Sequence, residues 1–184
     1  MKLRLKTPPA VEPVDLEEAK NFLKVETTDD DTLISSLIKS ARELIERYLR
    51  RALITQTWEM VLDDGGSMVV IPRPPLQSIS LIKTIAEDGT ETVEDPEKYI
   101  VELGYDSPGR VMLKSGQTWS IHRGFASFIV EFIAGYGDQA SDVPEIIRQA
   151  ILQLTAYFYE NRGVEKVIPF QVRNLINPYR VYWL

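Results

Sequence analysis

The sequence predicts an α+β fold in which an N-terminal and a C-terminal helix pack together beside a central, mostly antiparallel β-sheet. Three observations predict it. Apolar residues recur every three or four positions over residues 31–52 and again over residues 143–161, so each helix has one apolar face. From residue 54 to 62 the pattern changes to an alternation of period two, which is typical of a half-buried strand. A β-rich region therefore lies between two core-forming helices.

Length and composition favour one main domain. A chain of 184 residues with 44% hydrophobic content can bury a sizeable core. We expect this domain over residues 14–163, after an extended, basic and proline-containing arm of residues 1–13 and before a docking tail of residues 164–184. No apolar run approaches the length of a membrane span or a signal peptide, so we expect no membrane partner and no secretion.

Local signals place the helices. A short helix is predicted over residues 14–24, where Asp15 and Glu18 have capping-box spacing. The spacing of Asp142 and Glu145 predicts the same cap for the helix over residues 143–161. Three aspartates at residues 29–31 lack the alternation and the closing glutamate of a calcium loop, so we interpret them as the start of the helix over residues 31–52.

The β-rich region is predicted over residues 54–134. Asp-Gly, Ser-Gly and similar turn sequences divide it into short runs with hairpin-length connections, which makes the sheet mostly antiparallel. The Pro72-Arg73-Pro74-Pro75 segment cannot supply regular ladder hydrogen bonds and marks an edge or a crossover. The predicted strands cover residues 54–62, 67–72, 78–86, 90–93, 98–102, 110–113 and 125–134.

Catalytic chemistry has little support in the sequence. The chain has no cysteine, and its single histidine, His122, lies in a predicted exposed turn without a nearby acid and nucleophile pattern. The glycines of residues 135–138 lack the lysine and the serine or threonine of a phosphate loop, so a chain reversal explains them better. We therefore predict no catalytic, cofactor-binding or metal-binding residue, no cofactor and no enzymatic activity.

Charge is unevenly distributed along the chain. The formal net charge is −6, but residues 54–146 hold six basic and fifteen acidic residues, whereas residues 147–184 hold five and two. Neutralising DNA phosphates needs clustered lysine and arginine, so tight or sequence-specific nucleic-acid binding is disfavoured. An acidic surface would instead repel DNA that passes close to it.

Two groups of residues are candidates for protein interfaces. Arg50, Arg51 and Arg73 are candidates for contacts between subunits. The end of the tail combines aromatic and arginine side chains that are typical of interface anchors, although the same residues could instead dock on their own domain. The tail candidates are Tyr179, Arg180, Tyr182, Trp183 and Leu184.

Several segments together resemble the head-to-tail connector, or adaptor, family of long-tailed bacteriophages and gene transfer agents. Their order and spacing match over most of residues 15–180. The segments are residues 44–59 (LIERYLRRALITQTWE), 71–79 (IPRPPLQSI), 134–137 (AGYG), 143–151 (VPEIIRQAI), 159–162 (YENR) and 177–180 (NPYR). Two departures are the Asp-Gly-Gly of residues 64–66, where an aromatic-proline pair is expected, and the extension over residues 181–184.

The resemblance implies a structural virion protein at the neck, the capsid–tail junction, present in the host cytoplasm during assembly. It implies a homo-oligomeric ring, twelvefold in the virion, that docks its C-terminal region on the portal and its opposite side on a stopper or tail-completion protein, with DNA passing through the centre. Two alternatives stay open from the residues alone, namely a free-standing protein interaction module and an enzyme that joins His122 with distant acids.

Overall fold

The computed structural model of the chain describes residues 1–161 and 167–182. Its residues divide into two compact units, each built from two stretches of chain. Unit 1 comprises Met1–Pro9 and Thr55–Gly135, and unit 2 comprises Ala10–Ile54 and Tyr136–Leu184. Sequence analysis expected one domain over residues 14–163, and whether the two units fold as one domain stays a prediction.

Unit 2 is helical. Its α-helices are α1 (Leu16–Leu23), α2 (Asp31–Leu49), α3 (Glu145–Glu160) and α4 (Phe170–Ile176), with short 3-10 helices at Ala140–Asp142 and Asn177–Tyr179. The apolar faces of α2 and α3 pack against each other, as their periodicity predicts, and α1 and α4 add to the same core. The fully buried members of this core include Val14, Ile34, Ala41, Ile45, Leu49, Ile147, Ile151 and Ile176.

Helix ends follow the sequence signals in one case and depart from them in another. The Asp15 carboxylate accepts a hydrogen bond from the Glu18 backbone N–H at 2.8 Å, so the predicted cap of α1 is confirmed. The predicted cap at Asp142 is wrong, because this carboxylate accepts from the Gln139 N–H at 2.8 Å and closes a 3-10 turn. Helix α3 begins after Pro144 without a side-chain cap.

Helix α4 was not expected, because Pro169 and Pro178 prevent the tail from forming one continuous helix or strand. The two prolines instead bound a short helix, Pro169 at its N-cap position and Pro178 in the 3-10 turn that follows it. Val172 and Ile176 lie four residues apart, and both are buried against the core of unit 2. Seven residues are thus enough for a helix when packing stabilises them.

Unit 1 contains two antiparallel sheets, which confirms the predicted mostly antiparallel pairing. The larger sheet has the order β1-β2-β8-β4-β5 and the smaller one the order β3-β7-β6. The proline segment of residues 72–75 connects β3 to β4 and so crosses from one sheet to the other, as predicted. The strands are β1 (Lys2–Thr7), β2 (Gln56–Leu62), β3 (Met68–Ile71), β4 (Leu76–Ile85), β5 (Glu91–Val93), β6 (Tyr99–Glu102), β7 (Gly109–Leu113) and β8 (Phe128–Ala134).

The inner faces of the two sheets form the core of unit 1. Met60, Ile82, Val130 and Phe132 of the larger sheet are fully buried, and so is Val111 of the smaller one. A Cβ at Gly109 would lie 2.3 Å from the Leu76 side chain, so only glycine allows β7 to approach β4 this closely. The two sheets therefore form one packed body within unit 1.

The N-terminal arm takes part in the larger sheet, which was not predicted. Residues 1–13 were expected to form an extended arm outside the core, and within them Lys2–Thr7 form β1, an exposed edge strand that pairs antiparallel with β2. Alternating cations accompany the pairing, because Arg4 forms an ion pair with Glu59 of β2 at 3.0 Å and Lys6 forms another with Glu131 of β8. The basic arm thus neutralises part of the acidic middle of the chain.

Candidate interaction surfaces

Residues 176–181 of the tail dock on their own unit. The Val181 backbone N–H donates to the Leu49 carbonyl at 3.0 Å, just where α2 ends, and the Val181 side chain is buried. Ile176 is also buried in the core of unit 2. Of the two alternatives for the tail, docking on its own unit holds for residues 176–181, because their apolar side chains are already covered.

An aromatic and arginine cluster lies next to this docked segment. The Arg180 guanidinium lies 4.7 Å from the ring centroid of Tyr48 and 5.3 Å from that of Tyr182. The hydroxyls of both tyrosines donate to Asn177 Oδ1, at 2.9 and 3.0 Å. Tyr182 is 62% exposed, whereas Tyr179 and Arg180 are half-buried. Trp183 and Leu184 lie outside the described residues.

The three arginines expected between subunits are in different environments. Arg50 is exposed at the end of α2, with a left-handed backbone conformation of φ 59°. Arg73 is half-buried, with its guanidinium 5.1 Å from the ring centroid of Trp58. Arg51 is 2% exposed in the single chain and its Nε donates to the Tyr179 carbonyl at 2.6 Å, and its role between subunits stays a prediction. It stabilises the docked tail of its own chain.

A buried ionic cluster links the start of unit 2 to α2. Arg42 is buried, and its guanidinium donates to Glu46 at 2.8 Å and to Glu12 at 2.6 Å. The second Glu46 oxygen accepts from the Leu53 N–H at 2.9 Å. Burial alone would lower the pKa of Arg42, but the two carboxylates outweigh it and the pKa is raised. This cluster is satisfied by its own members and fixes the chain after α2.

His122 lies in the loop between β7 and β8, the 114–127 loop, and it is not exposed as predicted. Its side chain is 15% exposed, with Nδ1 2.8 Å from the Ser120 carbonyl and Nε2 3.4 Å from the Asp64 carboxylate. The Trp119 indole N–H donates to the Gly66 carbonyl at 2.8 Å, and the Trp119 ring lies against Phe128. The contacts with Asp64 and Gly66 were missed because they join residues more than fifty positions apart.

Glu94 anchors the same loop from the other side. It is buried, and its carboxylate accepts from the Lys98 ammonium and from the Ser120 N–H, both at 2.8 Å. Burial would raise the pKa of Glu94, but these two donors outweigh it and hold the pKa below its ordinary value. The carboxylate therefore serves as a charged hydrogen-bond acceptor for the loop backbone.

Unit 1 has an exposed apolar surface that was not predicted from the sequence. The solvent side of the β3-β7-β6 sheet, which we call the outer face, presents Met68, Val70, Ile100 and Met112, all exposed. The 114–127 loop presents Ile121 at 92% and Phe125 at 76% exposure. One signal was available in the sequence, because residues 68–71 (MVVI) are apolar without the alternation expected of a strand that faces water.

The described parts of the chain contain no group of three or more histidine or acidic residues that could hold a metal ion. Within residues 1–161 and 167–182, no helix is long and apolar enough to cross a membrane.

Comparisons with known proteins agree with the resemblance. The family model of the head completion protein matches residues 13–182. No protein with a curated description matches. Three similar solved structures come from gene transfer agent (GTA) particles, and each covers 100% of this chain and 97% of its own. They are the neck of an empty GTA particle computed with C6 symmetry (24% identity, TM-score 0.85), the virion of a native GTA particle (22%, 0.82) and the neck of a native GTA particle computed with C12 symmetry (23%, 0.82).

These structures share the α+β fold of this chain over its whole length, which confirms the predicted fold class. The match of the family model extends from the residues before α1 to the end of the described tail, so it includes both units. The chain belongs to the head completion protein family, a family of head-to-tail connectors.

Proposed function

We propose that this protein is a structural component of a phage-like virion, a head-to-tail adaptor whose copies form a ring in the neck between the portal and a stopper or tail-completion protein. The single observation that carries the proposal is the family match over residues 13–182. Two similar neck structures were computed with C6 and C12 symmetry, which supports a ring.

Electron microscopy of the purified protein, with and without a portal ring, tests this function. We expect ring-shaped density of this protein on the portal, with twelve copies. Isolated protein can remain monomeric, because ring closure can depend on a template. Portal particles that carry no added density at saturating protein would overturn the proposal.

The C-terminal region is the proposed portal contact. Residues 176–181 are docked on unit 2, so among the predicted tail residues that the structure describes, Tyr182 is exposed and Tyr179 and Arg180 are partly accessible to a partner. An exposed tyrosine beside an arginine is typical of an interface anchor. Arg50 and Arg73 remain proposed contacts between subunits.

The variant Tyr182→Ala separates portal docking from folding. We expect it to weaken portal binding at least tenfold, measured by co-sedimentation, with little change in the melting temperature because Tyr182 is mostly exposed. Phe22→Ala, another exposed aromatic side chain of unit 2, is the matched control and should bind the portal normally. Equal portal binding by Tyr182→Ala and the native protein would remove this contact from the proposal.

We also propose that acidic residues line the channel through which DNA passes. With Glu59 and Glu131 paired to the N-terminal strand, many of the other acids of unit 1 lie in residues 87–97, where all but the buried Glu94 are exposed. Repulsion of phosphates there would let DNA slide without being retained.

Replacing Glu87, Asp88 and Asp95 together by lysine should slow genome ejection and raise the DNA affinity of the ring in a salt-dependent manner. The control carries the same change at three exposed acids of unit 2, Glu17, Glu26 and Asp29. Unchanged ejection and DNA affinity in the first variant would argue against a channel position for this stretch.

A further inference from the structure

The outer face is unusual for an antiparallel sheet, whose solvent side is normally polar. Register places Met68 beside Met112 and Met112 beside Ile100, so three apolar side chains form one continuous row across the three strands. The next row on the same face contains Val70, Arg110 and Glu102, and the last two form an ion pair. The inner face of the same strands is also apolar and already fills the core of unit 1. The outer row is therefore not needed to fill the core of unit 1.

The shape and chemistry of the outer face fit a protein partner. It contains a shallow depression of about 120 Å³ lined by Met68, Ile100, Glu102, Arg110 and Met112. Pockets for small molecules are typically about 300–1,000 Å³, so this depression matches one side chain of a partner. Methionine and arginine are enriched at protein interfaces, and the unbranched methionine side chains can adapt to an incoming group.

The same unit carries a projection that could fill such a depression. Ile121 and Phe125 are the two most exposed large apolar side chains of the 114–127 loop. Their loop is held in place by side-chain and backbone hydrogen bonds. The Arg123 N–H donates to the Ile85 carbonyl at 3.0 Å, and the Ala126 N–H donates to the Asp63 carboxylate at 2.9 Å. The Arg123 Nε donates to the Phe125 carbonyl at 3.1 Å.

A held loop has consequences for binding. Ala126 adopts a left-handed conformation with φ 47°, and Ser127 Oγ donates to the Arg123 carbonyl. Because the backbone on both sides of Phe125 is fixed by hydrogen bonds, little conformational entropy is lost when its side chain enters a partner. Two exposed apolar side chains on such a loop therefore form a preorganised projection.

We propose that the Ile121 and Phe125 side chains of one copy dock on the outer face of the adjacent copy, so that the two surfaces form the repeating contact of the ring. This inference rests on the proposed function. A ring of more than two copies needs a head-to-tail contact between two different surfaces of each subunit, and a projection with a matching depression is such a pair. The Phe125 ring contacts the thioethers of Met68 and Met112, a favourable sulfur–aromatic pairing, while Arg110 and Glu102 form the polar rim.

A second groove of unit 1 is the alternative acceptor. It has a volume of about 400 Å³ between β4 and β6, and the exposed Val93 is part of its lining. The outer face is preferred because both of its rows consist of aligned side chains on three paired strands, which gives one rigid surface.

Cysteine crosslinking tests the contact, because the native chain has no cysteine and so no background. The variant Phe125→Cys/Met112→Cys is assembled on the portal and mildly oxidised. We expect a ladder of disulfide-linked multimers on a non-reducing gel. A mixture of the two single variants should stop at dimers, and each single variant alone should stay uncrosslinked. The control Phe125→Cys/Val93→Cys places the second thiol in the alternative groove and should give no ladder.

The outcomes separate the contact from the function. Portal-bound density with no ladder, or with a ladder only for the Val93 pair, would overturn the contact and leave the adaptor function intact. A dimer from Met112→Cys alone would also overturn it, because it would place two outer faces against each other. A ladder in concentrated free protein that adds no density to the portal would support the contact and overturn the function. If neither a ladder nor added density on the portal is seen, the contact and the adaptor function are both overturned.

Discussion

Apolar and charged side chains are placed differently in the two units. In unit 2 the buried Arg42 and the packed faces of α2 and α3 are satisfied within the unit, while Phe22, Phe170 and Tyr182 remain exposed. In unit 1 an edge strand is paired and the core is full, yet large apolar side chains remain outside on the outer face and on the 114–127 loop. The difference lies in arrangement, because in unit 1 exposed apolar side chains are aligned across the strands of one sheet face, which suits contacts with other proteins.

The largest expected effect tests how far unit 2 depends on its internal charges. Arg42→Met should lower the free energy of unfolding by about 3–5 kcal/mol, because it leaves the Glu46 carboxylate buried without its cation. Denaturant titration followed by circular dichroism measures the change. Arg47→Met, at an exposed position of the same helix, is the control and should change stability by less than about 0.5 kcal/mol. Similar losses in both variants would argue against a special role of the buried cluster.

The docked tail is the next test of the same unit. Val181→Ala should lower the free energy of unfolding by about 2 kcal/mol, because it removes buried methyl groups next to the end of α2. Tyr182→Ala removes a larger side chain one residue later, but that side chain is mostly exposed, so its loss should be smaller. The reverse order in thermal unfolding would mean that the tail is not held on unit 2 by Val181.

In unit 1 the anchor of the 114–127 loop predicts a pH dependence. The pKa of Glu94 is lowered in the folded chain, so its contribution to stability is present above the ordinary pKa of 4.5 and is lost as the pH falls through the lowered value. Glu94→Gln should therefore be less stable than the native protein at pH 7, and the gap should narrow below about pH 4.5. Denaturant titrations of both proteins between pH 3 and 7 measure it. A gap that stays constant with pH would contradict this assignment.

The smallest expected change in stability is for an exposed residue of the 114–127 loop, and it tests directly whether that loop is an interaction surface. Phe125→Ala should change the stability of the isolated protein by less than about 0.5 kcal/mol, since its side chain is largely exposed. Phe128→Ala, three residues later, should cost about 3–5 kcal/mol because Phe128 is fully buried. Thermal and denaturant unfolding compare the two. If Phe125→Ala destabilises as much as Phe128→Ala, the loop residue belongs to the core rather than to an interaction surface.

Prediction from the sequence succeeded where one periodicity dominated. The stripes of α2 and α3 and each of the seven predicted strands are present, with their ends shifted by at most a few residues. It failed where the outcome depended on distant partners. Lys2–Thr7 pair with β2 and form ion pairs with Glu59 and Glu131, and His122 lies beside Asp64. Local patterns contain no information about such contacts.

The interaction surfaces were also only partly predictable from the sequence. The aromatic and arginine character of the tail is visible in the sequence, but its division into a docked segment and an exposed Tyr182 depends on the Val181 to Leu49 hydrogen bond. Arg51 has the composition of an interface residue and is nevertheless buried against its own tail. For charged and aromatic side chains, burial is decided by the neighbours that the fold supplies.

By itself, the sequence determined the fold class, the positions of the helices and strands and the family resemblance, because periodicity and motif order are properties of the chain alone. The tertiary structure decided which apolar residues remain outside. Met68, Met112, Ile121 and Phe125 are as hydrophobic as many core residues, and only the pairing of β3, β7 and β6 and the held loop leave them exposed. Exposure depends on which side of a packed sheet a residue occupies, and that side is fixed by contacts between distant segments.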